Sequence, residues 1–165
     1  MLARPPICDN VLISDNKAAA VEWSDYKKDV CGRISEACPV PFRRVEPIEG
    51  WEPRVACCHK NVDQWVEMHP ETTAVRGWVG YARYGKGLLD LTAHSVVRGA
   101  DGVLFDITPT EDPNAYRGPF VVHHGDDQSF FEMERMKQPI QCHGNDPAPE
   151  IDLEAWRASM TMGAK

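Results

Sequence analysis

Three polar residues in the middle of the chain have the types and the order that acyl chemistry on a cysteine requires. Cys58 stands at the predicted start of a helix, His94 follows 36 positions later, and Asp106 follows 12 positions after that. A thiolate can attack a carbonyl carbon, an imidazole can carry the thiol proton, and a carboxylate can orient the imidazole. The three residues therefore predict a cysteine nucleophile with its base and the group that orients the base.

Each of these residues also has a purely structural explanation. A single cysteine is most often a small buried apolar side chain. Asp106 precedes Thr108 and Pro109, and these residue types cluster in turns. On its predicted strand, however, Asp106 shares a face with apolar neighbours, where burial is costly unless the carboxylate has a partner. His94, on the adjoining predicted strand, is the expected partner.

The residues that follow Cys58 predict a short amphipathic helix. Val62, Trp65 and Val66 fall at i, i+3 and i+4 and form one apolar stripe. Pro70 ends the helix, because proline disfavours helical geometry in the residue before it. Cys58 is then in or just before the first turn, where free amide donors and the positive end of the helix dipole favour a thiolate. The same donors can hold an oxyanion.

Strand-like sequences follow the helix. Residues 74–84, 92–97 and 103–107 are rich in β-branched and aromatic residues, and Asp101-Gly102 predicts a hairpin turn between the last two runs. A further strand is predicted around 119–124. Earlier in the chain, a helix is predicted over 16–38, which Gly32 divides into two shorter helices in the alternative interpretation.

The stretch 57–109 resembles the core of the transglutaminase-like branch of the papain-like cysteine enzyme superfamily. In that family a cysteine opens a helix, and a Gly-Tyr-type strand, a histidine and a strand ending in Asp-Pro-Thr or a similar triplet follow. The matching residues here are Cys58 (or Cys57), the strand 77–81, His94 and the segment 106–109. The chain departs from the family at His59, where a bulky aromatic residue is often found.

The resemblance implies an α+β fold in which N-terminal helices pack on an antiparallel sheet. It also implies that Cys58 attacks an amide or thioester carbonyl, that His94 moves the proton and that Asp106 holds the tautomer of His94. Peptides, protein side-chain amides and small amides are the implied substrates, and amide hydrolysis, deamidation and acyl transfer are the implied reactions. No cofactor is needed for this chemistry.

Four further residues are predicted to contact the substrate because of where they stand beside the implied triad. Each has a structural alternative: Cys57 can pack ahead of the helix, His59 can be an exposed first-turn residue, Asn61 can hold a nearby loop, and Trp78 can belong to the core. A basic cluster precedes the helix, formed by Arg43, Arg44 and Arg54. It reads either as a solvated loop or as an edge that binds a carboxylate or phosphate near the cleft.

Metal binding is the rival hypothesis. The candidate ligands are His123, His124, Cys142 and His143, with more donors in the segment 57–59. A metal enzyme or a metal-stabilised domain holding zinc or iron would use such atoms. However, no Cys-x-x-Cys pair is present, and adjacent residues of a strand point to opposite faces. One of His123 and His124 is then core-facing and the other exposed. A non-catalytic interaction module is the third hypothesis.

Composition limits the remaining possibilities. A chain of 165 residues with 42% apolar and 26% charged residues predicts one globular domain. The net charge of −7 argues against a nucleic-acid partner, and no apolar run is long enough to span a membrane. Six cysteines without a recognisable export signal predict reduced thiols and a cytoplasmic location, or export as an effector by another route. An irregular arm over 1–14, a linker over 145–150 and a helix over 151–162 complete the prediction.

Overall fold

Helices and an antiparallel sheet make up the protein, as the predicted α+β class requires. The computed structural model describes residues 17–48, 50–82, 89–111 and 118–142. The helices are α1 (Lys17–Gly32), a 3-10 turn (Ile34–Glu36), α2 (Cys58–Met68) and α3 (Asp127–Glu134). The strands are β1 (Thr73–Ala82), β2 (Leu89–Arg98), β3 (Leu104–Phe105), β4 (Phe120–Val122) and β5 (Ile140–Cys142).

The long hairpin of β1 and β2 is the centre of the sheet. The strand order is β3-β2-β1-β4, every pairing is antiparallel, and β5 also pairs with β2. Along the edge of β2 that faces away from β1, β5 pairs with residues 89–91 and β3 with residues 97–98. In the described part of the chain, neither strand pairs with the intervening stretch, which carries His94. That stretch is therefore open to contacts from outside the sheet.

Most predicted elements appear close to their predicted bounds. The N-terminal helix ends at Gly32 and continues as a 3-10 turn, as the divided-helix interpretation expects. Gly102 adopts a φ of 81°, so the predicted hairpin turn is formed. The third predicted strand is shorter than 103–107, because Asp106 leaves the sheet and makes an isolated parallel bridge with Phe42.

The core lies between the helices and the sheet. Trp23, Val30 and Ile34 of the first helical region pack with Trp78 of β1 and Phe130 of α3. A second cluster joins α2 to β2 and β3 through Val62, Val97, Phe105 and Ile107. Burial of these apolar side chains is the main force that fixes α2 against the sheet.

A disulfide joins Cys31 of α1 to Cys142 of β5. The prediction that the cysteines are reduced is wrong for this pair, whereas Cys38 and Cys58 are free thiols. The bond closes a loop between residues 111 positions apart. Such a long closure removes many conformations from the unfolded chain and so stabilises the fold.

Several predicted segments lie outside the described residues: the arm over 1–14, the turn at 84–87, most of the loop after Pro109, the linker over 145–150 and the helix over 151–162. None of the helices in the described ranges has the length and apolar character needed to cross a bilayer.

Candidate active site

Cys58 is the first residue of α2, at the predicted position. The first backbone bond of the helix runs from the Asn61 amide to the Cys57 carbonyl oxygen, so the amides of the preceding turn have no acceptor within the helix. Ala56 adopts a φ of 59°, in the left-handed region that non-glycine residues rarely occupy. This turn directs the chain into the helix, and it places Cys58 where free amide donors favour an anion.

His94 and Asp106 are in direct contact, as the sequence predicts. His94 Nε2 lies 2.8 Å from Asp106 Oδ2. The other carboxylate oxygen, Oδ1, accepts a hydrogen bond of 2.8 Å from the Thr108 amide. Asp106 is therefore both an orienting partner for the histidine and a turn residue, and the two interpretations of this aspartate are compatible. The carboxylate is buried, at 4% exposure.

The backbone of Asp106 is fixed by the chain that enters the site from the N-terminal side. Its amide donates to the Pro41 carbonyl oxygen at 2.9 Å, and its carbonyl oxygen accepts from the Arg43 amide at 2.8 Å. The guanidinium carbon of Arg43 lies 3.8 Å from the centroid of the Phe105 ring. One member of the predicted basic cluster thus lies beside the site, and its side chain remains exposed.

The electrostatics of Cys58 and His94 are those of an ion pair. Burial would raise the pKa of the Cys58 thiol, but hydrogen bonds with His59 and His94, together with the charge of His94, lower it to about 5. Burial would lower the pKa of His94, but hydrogen bonds with Asp106 and Cys58 and the charge of both groups raise it to about 10. At neutral pH the sulfur is therefore a thiolate and the imidazole is protonated.

His59 is a second imidazole at the sulfur. It contacts Cys58, and its Nδ1 atom lies 2.6 Å from the hydroxyl oxygen of Ser95. Ser95 in turn accepts a hydrogen bond of 2.9 Å from the Arg76 guanidinium. Among the four residues predicted to contact substrate, His59 is hydrogen-bonded to Cys58, and its side chain is half-buried.

Asn61 and Trp78, two of the residues predicted to contact substrate, both have buried side chains. Asn61 is 3% exposed. Its side-chain oxygen accepts from the Arg54 amide at 2.9 Å, and its side-chain nitrogen donates to the Arg54 carbonyl oxygen at 2.8 Å and to the Thr108 hydroxyl at 3.2 Å. It holds a loop, as its alternative interpretation states. Trp78 is 2% exposed and donates from Nε1 to the Tyr26 hydroxyl at 2.7 Å, so it belongs to the core. Cys57 is half-buried at the N-cap of α2.

The residues proposed for a metal site are not brought together in the part of the chain that the structure describes. His123 is buried between the Tyr26 hydroxyl, 2.7 Å from Nδ1, and the Ser129 hydroxyl, 2.9 Å from Nε2. Cys142 is in the disulfide, His124 is exposed, and His143 lies outside the described residues. Within the described ranges, no group of three or more histidine, cysteine or acidic side chains is arranged to hold a metal ion.

Two residues at the site were not predicted from the sequence. Ser95 stands next to His94 in the strand, and Arg76 lies in a run of apolar residues. Of the two, Arg76 is the one that the sequence could have indicated, because a charged residue inside a buried strand needs partners. It finds them in Asp63 of α2 and Asp127 of α3, whose positions in the chain give no hint of the contact.

Comparison of the chain with protein family models, with curated protein sequences and with solved structures finds no match. The geometry of the described side chains is therefore the basis on which a function can be inferred.

Proposed function

We propose that this chain is a cysteine-dependent enzyme with a papain-like, transglutaminase-like core that acts on amide or related acyl bonds. A single observation carries the proposal: the Cys58 thiol is hydrogen-bonded to His94, and Nε2 of His94 lies 2.8 Å from Asp106 Oδ2. Sulfur, imidazole and carboxylate in this order are the parts of an activated nucleophile.

The first half-reaction follows from the protonation states. The Cys58 thiolate attacks the carbonyl carbon, a C–S bond forms, and the negative charge moves to the carbonyl oxygen. Amides at the start of α2 have no acceptor within the helix and are available to that oxyanion. His94 then gives its proton to the leaving amine as the C–N bond breaks, and an acyl-enzyme remains.

The second half-reaction determines the product. If water attacks the acyl-enzyme, the outcome is hydrolysis of a peptide or deamidation of a side-chain amide. If an amine attacks, the outcome is acyl transfer. In each case His94 takes a proton from the attacking group, and Asp106 stabilises the imidazolium that forms. Peptides, protein side-chain amides and small amides all present the carbonyl carbon that Cys58 requires.

The order of elements supports the proposal independently of the side-chain distances. Cys58 begins α2, a glycine- and aromatic-containing strand β1 follows, and β2 supplies His94. Asp106 follows β3 and precedes Thr108 and Pro109. This is the order that the resembled family uses.

Acetyl transfer from p-nitrophenyl acetate tests the proposal. The Cys58 thiolate should displace p-nitrophenolate and form a thioester, which mass spectrometry of the cysteine-containing peptide detects. Cys58→Ser should remove the rapid release of p-nitrophenolate. The matched control is Cys38→Ser, because Cys38 is also a free, half-buried thiol and lies beside β4, where its backbone pairs with Phe120. This control should release p-nitrophenolate at the rate of the unmodified chain. The comparison is made at about pH 6, where a thiol of ordinary or raised pKa is almost fully protonated. Equal acetylation of both thiols there, or none on Cys58, would contradict the proposal.

We also infer that the protein works where disulfides persist. The bond between Cys31 and Cys142 is typical of an oxidising environment and favours the exported location over the cytoplasmic one. Trapping of thiols with N-ethylmaleimide at the moment of cell lysis measures this. Finding Cys31 and Cys142 alkylated in the native host would contradict it.

A further inference from the structure

The Cys58 sulfur has a second imidazole partner, that of His59. The His59 side chain is hydrogen-bonded to the thiol in addition to His94. Nδ1 of His59 is engaged by the Ser95 hydroxyl at 2.6 Å. Nε2 is therefore the ring nitrogen that remains for the sulfur.

Arg76, Ser95, His59 and Cys58 form a chain of hydrogen bonds. The donor and acceptor of each bond can be assigned by starting from Arg76, which is buried. Arg76 lies 2.9 Å from Ser95 Oγ, and a guanidinium can only donate. Ser95 is fully buried, and its two hydrogen-bond partners in the described part of the chain are Arg76 and His59. A buried hydroxyl hydrogen needs an acceptor, and Nδ1 of His59 is the available one. His59 then carries its own hydrogen on Nε2 and donates it toward Cys58.

Both ends of this chain of contacts are held in place. The Arg76 side chain is 5% exposed and is paired with Asp63 and Asp127. The His59 ring makes edge-to-face contacts with the Phe130 and Phe131 rings, with centroids 5.6 and 5.4 Å away. Since the ring cannot turn without losing these contacts and the Ser95 bond, its tautomer and orientation are fixed together.

We propose that His59 is a second catalytic histidine, a neutral donor to the Cys58 sulfur that the positioning residues Ser95 and Arg76 hold in one tautomer. This inference rests on the proposed function of Cys58. The two histidines have different tasks. His94 loses its proton to the leaving amine, whereas His59 keeps the hydrogen on Nε2 throughout. When water later attacks the thioester, the C–O bond forms and the C–S bond breaks. His59 then donates to the sulfur that departs as thiolate, and the proton of the water goes to His94.

The rate of alkylation of Cys58 by iodoacetamide, followed by peptide mass spectrometry between about pH 4 and pH 8 in the full chain, tests the inference. His59→Phe keeps the ring contacts and removes the donor. His59→Gln keeps a donor near the position of Nε2 but has no basic nitrogen. We expect His59→Phe to raise the pH midpoint of alkylation by about one unit, which is a roughly tenfold loss of thiolate below the midpoint. His59→Gln should retain a midpoint close to that of the unmodified chain.

Ser95→Ala tests the positioning role, and its midpoint should rise while the Cys58–His94 pair is retained. Its matched control is Ser129→Ala, which removes the same type of hydroxyl–imidazole bond from His123. This control should leave the midpoint unchanged. The charged and titratable groups that surround the two histidines are the same in all these variants: His94, Asp106, Arg76, Asp63 and Asp127.

The outcomes separate this inference from the proposed function. A low midpoint in the unmodified chain that His59→Phe does not move would overturn the role of His59 alone. Equal shifts in His59→Phe and His59→Gln would overturn the neutral-donor role, because the basic nitrogen would then be what matters. An ordinary thiol midpoint in the unmodified chain would overturn both proposals. If Ser95→Ala does not fold, the two His59 variants decide the question, since His59 is only half-buried.

Discussion

The pH dependence of alkylation at Cys58 is the most direct consequence of the thiolate–imidazolium pair. The pKa of the Cys58 thiol is lowered to about 5, and the pKa of His94 is raised to about 10. The thiolate is therefore present above about pH 5, and the proton on His94 is lost only above about pH 10. Between these limits the pair is intact, and the reactivity of Cys58 should hardly change with pH.

The magnitude of this effect separates Cys58 from an ordinary thiol. A thiol of pKa about 9 loses roughly 100-fold of its thiolate between pH 8 and pH 6, whereas one of pKa about 5 loses only about a tenth. The absolute rate is a poorer measure. Nucleophilicity falls with thiol pKa by a Brønsted factor of about 0.4–0.5, so a shift of about four units makes each thiolate roughly 50-fold less reactive. At neutral pH the two effects nearly cancel.

The assay compares slopes within one sample. Limited reaction with iodoacetamide at about pH 6, 7 and 8, followed by digestion and mass spectrometry, gives the rates at Cys58 and Cys38 together. Burial raises the pKa of Cys38, so its rate should fall about 100-fold over this range. His94→Phe should give Cys58 a slope similar to that of Cys38. A steep slope at Cys58 in the unmodified chain, or a flat slope that survives His94→Phe, would refute the ion pair.

Three further outcomes follow from the structure. Asp106→Asn keeps the shape but loses the charge that holds the proton on His94, so turnover should fall roughly 10- to 100-fold with little change in substrate binding; an unchanged rate constant would leave Asp106 as a turn residue only. Reduction of the Cys31–Cys142 disulfide should lower the free energy of unfolding by about 4–5 kcal/mol, measured by urea denaturation with and without reductant; coincident curves would contradict the stabilising role. Gly77→Ala should destabilise the fold by about 1–3 kcal/mol, since a Cβ atom there meets the Val121 carbonyl oxygen, and an unchanged melting temperature would show that β4 moves away freely.

Local features of the sequence predicted the parts of the site that depend on near neighbours. The stripe of α2 and the proline after His69 fixed the helix bounds within a residue, and these bounds put Cys58 at the N-terminus. The contact between His94 and Asp106 was predictable because both residues belong to one hairpin, and a buried carboxylate in a strand needs a partner. These inferences required only the geometry of a helix and of a β-hairpin.

Contacts between distant segments were not predictable in the same way. The disulfide joins residues 111 positions apart, and nothing in the spacing of six cysteines selects that pair. Trp78 looked like a possible cleft wall, because an aromatic residue in a strand has the same pattern whether it meets a helix or a substrate. Arg76 meets Asp127 across 51 positions, and only the docking of α3 on the sheet makes that ion pair.

The buried side-chain amide of Asn61 links the separate elements that carry Cys58 and Asp106. Its side chain lies one turn after Cys58 and binds both the Arg54 backbone and the Thr108 hydroxyl. The Thr108 amide in turn donates to the Asp106 carboxylate. The start of α2 and the loop after Asp106 are therefore linked by two hydrogen bonds through a buried region, where an unmade bond is costly. This link holds the two segments together on one side, and the His94 imidazole joins them on the other through its hydrogen bonds with Cys58 and Asp106.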